Sequence, residues 1–290
     1  MGNKISLKGF KNHKGSLVLR LLVYLAAVIT VGSVGFILVY ILIKGIPNLK
    51  PELFSWNYTS ENSSMLPALI NTIFMTALSL IIAGPIGIFA AIYLTEYAKS
   101  GNKFVAVVRI TAETLTGIPS IVYGLFGMIF FTTRLNLKLS LISGALTLAI
   151  MVLPVIMRTT EEAILAVPKS YREASFGLGA GKLRTVFRAV LPSAVPGILS
   201  GVILATGRIV GETAALIYTA GSVAKVATSL TSSTRTLSVH MYLLSKEGLR
   251  TNEAYATAVV LLVLVVLINF ASDRLAGRVA APTEKSNKEK

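Results

Sequence analysis

The chain has 290 residues, of which 53% are hydrophobic and 14% charged. With a mean hydropathy of +0.71, this composition excludes an ordinary soluble domain and indicates an integral membrane protein. The net charge of +15 does not indicate a nucleic-acid partner, because the 28 Lys and Arg residues are scattered in short segments between apolar runs, as in membrane proteins.

Six apolar stretches are long enough to cross a bilayer as helices, which takes about 20 residues. They predict an all-α, polytopic membrane fold with spans at residues 21–43, 67–94, 114–133, 139–157, 195 to about 220, and 254–272. The first is too long for the core of a signal peptide. Pro85 and Pro119 lie inside spans two and three near several glycines, which predicts kinks or close helix packing.

The Lys and Arg residues of the connecting segments predict the orientation, since cytoplasmic loops carry the excess. Segments 1–20, 95–110, 158–192 and 273–290 would share one side, and together they carry 19 of these residues. The segments on the other side, 44–66, 134–138 and 221–253, carry 8. Both termini and segment 158–192 are therefore predicted to be cytoplasmic.

The predicted organisation is a basic cytoplasmic tail (1–20), a first span with an external loop (21–66), a core of five spans (67–276) and a second tail (277–290). The tail lysines are predicted to lie on anionic membrane lipid rather than to form a site. They are Lys4, Lys8, Lys11, Lys14, Lys285, Lys288 and Lys290. In external segment 221–253, Leu237, Met241 and Leu244 recur at helical spacing and predict a short helix.

Segment 158–192 is too polar to cross the bilayer and contains two amphipathic helical patterns. The first starts at Pro168 and has one face made of Tyr171, Ala174, Ser175 and Leu178. Glycines then interrupt it, and the second pattern (183–191) ends before Pro192. Periodicity alone is equally compatible with a surface for a partner protein and with helices lying on the inner leaflet.

Within this segment the residues resemble a motif of the ABC importer permeases. That motif is Glu-Ala-Ala, three residues, Gly, nine residues, Ile, one residue, Leu-Pro. The chain has Glu173-Ala174-Ser175, Gly179 and Leu191-Pro192 at these offsets, with Ser175 replacing Ala and Ala189 replacing Ile. The resemblance implies a type I ABC importer permease fold, in which this segment is the coupling helix that contacts an ATP-hydrolysing subunit. The coupling residues it implies are Tyr171, Glu173, Ala174, Ser175, Leu178, Gly179, Leu191 and Pro192.

A narrower resemblance is to the phosphate-specific permeases of the PstA type. It rests on 117–127 (Gly-Ile-Pro-Ser-Ile-Val-Tyr-Gly-Leu-Phe-Gly), on 153–168 with its Arg-Thr-Thr-Glu-Glu-Ala run, and on 207–214 (Gly-Arg-Ile-Val-Gly-Glu-Thr-Ala). The resemblance implies transport of inorganic phosphate across the inner membrane of a prokaryote. It also implies the partners, namely two copies of an ATP-binding subunit, a homologous second permease and an external phosphate-binding protein.

Arg208 and Glu212 are the charges at membrane depth. Arg208 lies roughly 20 Å into the fifth span, near its midplane, where an arginine costs on the order of 2.5 to 3.5 kcal/mol and usually marks a polar pathway. A helix would place Glu212 one turn further on the same face, where it could neutralise Arg208. A guanidinium suits bidentate recognition of phosphate oxygens. The predicted substrate pathway is therefore Arg208 and Glu212 with Thr213 as a hydroxyl donor, although a purely structural Arg–Glu pair stays open.

The chain itself is not expected to be an enzyme. It lacks the Gly-x-x-x-x-Gly-Lys-Ser/Thr phosphate loop, because residues 177–182 do not have that spacing, so ATP would be hydrolysed by a partner. With no cysteine and two separate histidines, His13 and His240, neither a metal nor another cofactor is expected. The alternatives are a permease for another oxyanion, a secondary anion carrier or channel, and a membrane scaffold or sensor that transports nothing.

Overall fold

The computed structural model describes residues 14–285 apart from residues 100, 247 and 249, and the regular structure in these residues is helical. The α-helices are α1 (Lys14–Gly45), α2 (Leu66–Ile92), α3 (Lys103–Thr116), α4 (Ser120–Gly127), α5 (Leu141–Leu165), α6 (Lys169–Gly177), α7 (Lys182–Thr185), α8 (Leu191–Gly211), α9 (Ala214–Thr219), α10 (Leu237–Lys246) and α11 (Thr251–Lys285). The all-α class and the short helix predicted in segment 221–253, which is α10, are confirmed.

Three helices continue into π-helical turns, and two short 3-10 helices follow α1. The π turns are Tyr93–Tyr97 after α2, Met128–Arg134 after α4 and Val186–Val190 between α7 and α8, and the 3-10 helices are Ile46–Asn48 and Pro51–Phe54. Since α1 begins at Lys14, it includes the end of the predicted tail 1–20. The tail lysines at 4, 8, 11, 288 and 290 lie outside the described residues.

By length and composition, five helices of the described chain can cross a membrane, and α3 with α4 make a sixth span if the bent pair is counted as one. Within the predicted span 114–133 the helix is broken at Pro119, where the sequence predicts a kink or close packing. Helix α3 ends at Thr116, α4 begins at Ser120, and the two axes differ by 106°. Pro119 causes the break, because it lacks an N–H and disfavours helical backbone in the residue before it.

The fifth span also differs from its prediction at both ends. Pro192 does not end a separate helix, since α7, its π turn and α8 form one helix from Lys182 to Gly211. The π turn Val186–Val190 lies directly before Pro192, where a proline removes a hydrogen bond and its ring crowds the preceding turn. At the other end, the helix stops at Gly211, and the chain resumes as α9 only at Ala214.

The core lies where α2, α5, α8 and α9 meet. Met75, Leu148, Met151, Ile156 and Leu216 are fully buried in it. Glycines allow the close approach that their clustering predicted at some positions. A Cβ atom on Gly124 would lie 2.8 Å from Ala215 Cα, and one on Gly87 would lie 3.0 Å from the Ile156 side chain, whereas Gly84 has open space.

Helix α1 is only loosely attached to this core. None of the residues in its most apolar stretch is buried. Its C-terminal end meets α11, where a Cβ on Gly45 would collide with Tyr255 and Val259 and where Tyr40 packs edge-on against Tyr255 at 5.9 Å. Most of the α1 surface is therefore left for lipid or another chain.

Candidate coupling surface and translocation site

Helix α6 forms an exposed apolar surface at one end of the bundle. It starts after Pro168, as the sequence predicts. Tyr171 and Phe176 are each 47% exposed and Leu178 is 89% exposed, while Glu173 and Ala174 are also exposed. Large exposed apolar side chains on a segment too polar to cross the bilayer indicate a contact surface.

Gly179 sets the geometry of the turn that ends α6. Its φ of +78° lies in the left-handed region that side chains with a Cβ rarely adopt. The turn is closed by two backbone hydrogen bonds, from Gly179 N–H to the Phe176 carbonyl (2.9 Å) and from Ala180 N–H to the Ser175 carbonyl (3.1 Å). The motif glycine therefore has a backbone role, turning the chain from α6 into α7.

Ser175, where the motif has Ala, joins α6 to α7. Its hydroxyl is 2.8 Å from the hydroxyl of Thr185, which is buried. Leu191 and Pro192, at the end of the motif, lie inside the long α7–α8 helix instead of on α6. Leu191 packs against the buried cluster that includes Ile164 and Val190, and Pro192 lines a small cavity with Tyr171.

Arg172 attaches α6 to α2, a contact that sequence reasoning missed. Its guanidinium donates to the Glu96 carboxylate in the π turn after α2 (Nη2–Oε1 2.6 Å, Nε–Oε1 3.0 Å) and also to the Val167 and Ile164 carbonyls. Both charged side chains are largely buried, at 20% and 11% exposure. The partners are 76 residues apart, so no local spacing could have indicated the pair.

A second group of ion pairs, also missed, lies at the contact between α3 and α5, and two of its three pairs join these helices. Arg109 contacts Glu161, and Arg158 lies 3.2 Å from Glu162 and 3.9 Å from Glu113. Arg109, Glu113, Arg158 and Glu161 line one small cavity between α3 and α5. Because α3 is turned away from α4 by the bend at Pro119, this charged contact holds it against α5.

Arg208 lies in the last turn of α8, on a face that packs against little else in this chain. The neighbouring positions on that face, Ser200, Leu204 and Gly211, are exposed, and no atom lies within 4 Å of a Cβ placed on Gly211. Arg208 is close enough to Tyr123 of α4 for an electrostatic interaction. Among the described residues, no carboxylate lies within ion-pair distance of Arg208.

The predicted neutralisation of Arg208 by Glu212 is therefore wrong. Glu212 has extended backbone (φ −71°, ψ 129°) because the helix has already ended, so it is not one helical turn from Arg208. Its buried carboxylate instead accepts a hydrogen bond of 3.0 Å from Ala215 N–H, at the start of α9. Thr213 is also separate, since it lines a cavity formed by α1, α10 and α11. The structure thus does not bring the three predicted pathway residues together.

Comparison with known protein families identifies the family to which the chain belongs. The sequence profile described as "Binding-protein-dependent transport system inner membrane component" matches residues 83–283. The chain belongs to this family. The match begins inside α2 and takes in α3–α10 and nearly all of α11, so it covers the coupling segment, Arg208 and most of the predicted core 67–276.

Individual relatives within this family include ABC transporter permeases and phosphate permeases of the PstA type. The probable ABC transporter permease YqgI of Bacillus subtilis is 38% identical over 203 residues, covering 68% of this chain and 67% of the relative. The phosphate transport system permease PstA of Haemophilus influenzae is 35% identical over 199 residues, covering 68% and 70%. The resemblance to permeases of the PstA type is confirmed.

Solved ABC importers share the fold of this permease. A bacterial alginate ABC transporter superposes with a TM-score of 0.63 at 16% identity, covering 89% of this chain and 95% of that one. The MetNI methionine ABC transporter in an inward-facing form gives a TM-score of 0.59 at 21% identity, with coverage of 83% and 97%. The predicted type I importer permease fold is confirmed.

The Arg172–Glu96 pair of the permease should hold α6 in place. We expect Arg172→Gln to speed amide hydrogen exchange in 169–177 about tenfold, because a largely buried carboxylate loses its charged partner. Lys169→Gln, which removes an exposed charge from the same helix, is the matched control and should leave exchange unchanged. Equal exchange in both variants would show that the pair does not restrain α6.

The capping role of Glu212 can be separated from its charge. We expect Glu212→Gln to keep α9 ordered, because the amide oxygen still accepts from Ala215 N–H. Glu212→Ala removes the acceptor and should destabilise α9 by about 1 kcal/mol, which is about a fivefold increase in amide exchange over 214–219. If Gln is as damaging as Ala, the negative charge and not the hydrogen bond is what matters.

Proposed function

We propose that this chain is the membrane-spanning permease subunit of an ATP-driven importer of inorganic phosphate, with alternating access driven by a separate ATPase subunit. The observation that carries the proposal is α6. It is an exposed amphipathic helix that carries the first part of the permease motif, Glu173-Ala174-Ser175, and it is fixed to the bundle by Arg172 and by the Ser175–Thr185 contact. Phosphate as the substrate is supported by the PstA relatives and by Arg208, which forms no ion pair with the other described residues.

Two routes connect α6 to the bundle. Through Arg172 and Glu96, a displacement of α6 would act on the end of α2. Through the turn at Gly179, it would act on the helix that runs without a break from Lys182 to Gly211, which is 30 residues or about 45 Å long. That helix carries Arg208, so closure of an ATPase pair against α6 would move the anion-binding group directly.

The exposed face of α8 suits a path shared with a second permease. A homologous subunit placed against Ser200, Leu204 and Gly211 would enclose Arg208 in a polar cleft between the two chains. The guanidinium can offer two parallel N–H donors to an oxyanion. Since no carboxylate of the described chain competes for these donors, the anion would be their partner during passage.

We further propose that both termini and α6 face the cytoplasm, following the 19 to 8 distribution of Lys and Arg. Two ATP-binding subunits would then contact α6 and its counterpart on the second permease. The external phosphate-binding protein would approach from the side of the 212–250 segment. Membrane lipid would cover most of α1, and nucleic acid has no part in this assembly.

Reconstitution of the complete complex tests the proposal. The chain should copurify with its ATPase and second permease, and vesicles containing the complex should take up radiolabelled phosphate only with ATP on the α6 side and binding protein on the other. A non-hydrolysable ATP analogue should abolish uptake. Competition with sulfate, molybdate or a phosphonate would reveal a different oxyanion as the substrate.

Two results would reject the proposal in different ways. Uptake driven by an ion gradient without ATP would indicate a secondary carrier or channel. An assembled complex that hydrolyses ATP but moves no oxyanion would indicate a scaffold or sensor.

A further inference from the structure

A cavity of about 730 Å³ lies between two segments that connect the spans, at the end of the bundle opposite to α6. Trp56 and Tyr58, from the segment before α2, form one wall, and residues 222–228 from the segment after α9 form the other. We call it the outer cavity. Lys225 and Arg235 are its charged lining residues, and no carboxylate of the described chain lines it.

Arg235 is the unusual member of this lining. It is only 6% exposed, and its Nε and Nη2 atoms are buried without a hydrogen-bond partner among the described residues. A buried guanidinium normally forms hydrogen bonds or ion pairs, because removal of its charge from water is costly. The described residues therefore supply no hydrogen-bond partner for these two atoms.

The surroundings of Arg235 supply aromatic contacts but no counter-charge from the described residues. The guanidinium carbon of Arg235 lies over the Tyr58 ring, 4.4 Å from its centroid, and the Tyr58 ring packs edge-on against His240. Burial and the nearby Arg235 lower the pKa of His240 to about 3, so this neighbour is neutral. The positive charge of the cluster thus resides on Arg235.

The two cationic residues are held in position by the bundle. The side chain of Asn71, fully buried in α2, donates to the Lys225 carbonyl (2.8 Å) and the Arg235 carbonyl (3.4 Å), and it accepts from Ala227 N–H (2.9 Å). Ser238, three residues after Arg235, donates to the Glu212 carbonyl at 2.6 Å. The cavity segment is therefore attached to Glu212, in the break between α8 and α9 that follows Arg208.

We propose that the outer cavity is an oxyanion-binding site, in which Arg235 donates to the anion and Lys225 adds positive charge at the rim. It would hold the anion after release from the external protein and before Arg208. This proposal rests on the proposed function in two respects, namely that the cavity faces the outside of the membrane and that the ligand is phosphate. Its chemistry, a planar fork of donors without a counter-charge, fits a tetrahedral oxyanion better than a halide.

Trp56 provides a direct readout, since it is the only tryptophan in the chain and lines the cavity. The complete complex would be labelled with 5-fluorotryptophan, and Trp56→Phe would identify the fluorine resonance of this residue. Titration with inorganic phosphate should shift that resonance saturably, whereas chloride at equal ionic strength should not. Arg235→Gln and Lys225→Gln should each weaken binding about tenfold, as expected for loss of a charged donor.

Lys138→Gln is the matched control. Lys138 is an exposed lysine between α4 and α5, on the same side of the bundle but outside the cavity, so its replacement should leave the titration unchanged. If Arg235→Gln fails to assemble, Lys225→Gln decides the matter, because its side chain is exposed and not needed for packing.

Three results would overturn the site. The first is the absence of a saturable phosphate shift, and the second is a titration of the Arg235 and Lys225 variants that equals that of the wild type. The third is a shift caused by the binding protein without phosphate. The last would indicate that the cavity receives an acidic side chain of that protein. Uptake measured in parallel separates the two proposals. A phosphate shift without ATP-driven uptake retains the oxyanion site and rejects the importer. ATP-driven uptake without a phosphate shift retains the importer and rejects the oxyanion site.

Discussion

Replacement of Arg208 by alanine is expected to lower ATP-driven phosphate uptake about 100-fold or more, while the complex still assembles and hydrolyses ATP. Two charge-assisted hydrogen bonds to the passing anion would be lost at once. The fold should tolerate the change, because Arg208 makes no ion pair with another described residue and its face of α8 is open. Initial uptake rates in vesicles with matched amounts of assembled complex give the measurement.

Two further variants sharpen this prediction. Arg208→Lys keeps the charge but loses the planar fork, so we expect uptake between that of the wild type and that of Arg208→Ala. Arg134→Ala removes an exposed arginine at the end of another span and should retain wild-type uptake. Wild-type uptake by Arg208→Ala would reject its place in the pathway and leave a packing role.

Replacement of Gly179 by valine should uncouple ATP hydrolysis from transport. A β-branched residue at φ +78° carries a strain of roughly 1–3 kcal/mol, so the turn between α6 and α7 would rearrange. Helix α6 would then no longer be aligned with the long α7–α8 helix. We expect uptake per ATP hydrolysed to fall about tenfold or more, with the membrane-embedded core still folded.

The same segment provides the control for Gly179. Gly177 is at the end of α6 with ordinary helical backbone and open space around it, so Gly177→Ala should preserve coupling and even stabilise α6 by about 0.5–1 kcal/mol. If Gly179→Val couples as well as Gly177→Ala, the turn is not the connection between ATPase and transport.

The sequence predicted those features that depend on local composition or on a fixed spacing. Long apolar runs gave the spans, because lipid imposes a minimum length on any helix that crosses it. The start of α6 at Pro168 and the turn at Gly179 followed from the same local rules. The short helix α10 followed from its apolar period alone.

Predictions that assumed unbroken helices were wrong. Glu212 is four residues after Arg208, which implies a shared face only if the helix continues, and it ends between them at Gly211. The Arg172–Glu96 pair and the Arg235–Tyr58 contact join residues that are distant in sequence. Such contacts depend on how helices pack, and the periodicity of a single segment contains no information about that.

The loose attachment of α1 has a consequence for biogenesis. Its contacts in this chain are with α11, at Tyr255 and Val259, so about 210 residues must be synthesised after Gly45 before that partner exists. At ~5–20 residues per second, this interval lasts roughly 10 to 40 s. During that time α1 must reside in the bilayer as a solitary helix, which its uncharged and largely apolar stretch 21–43 permits. Its insertion would therefore be decided early and independently, and the remaining helices would assemble against a partner already in place.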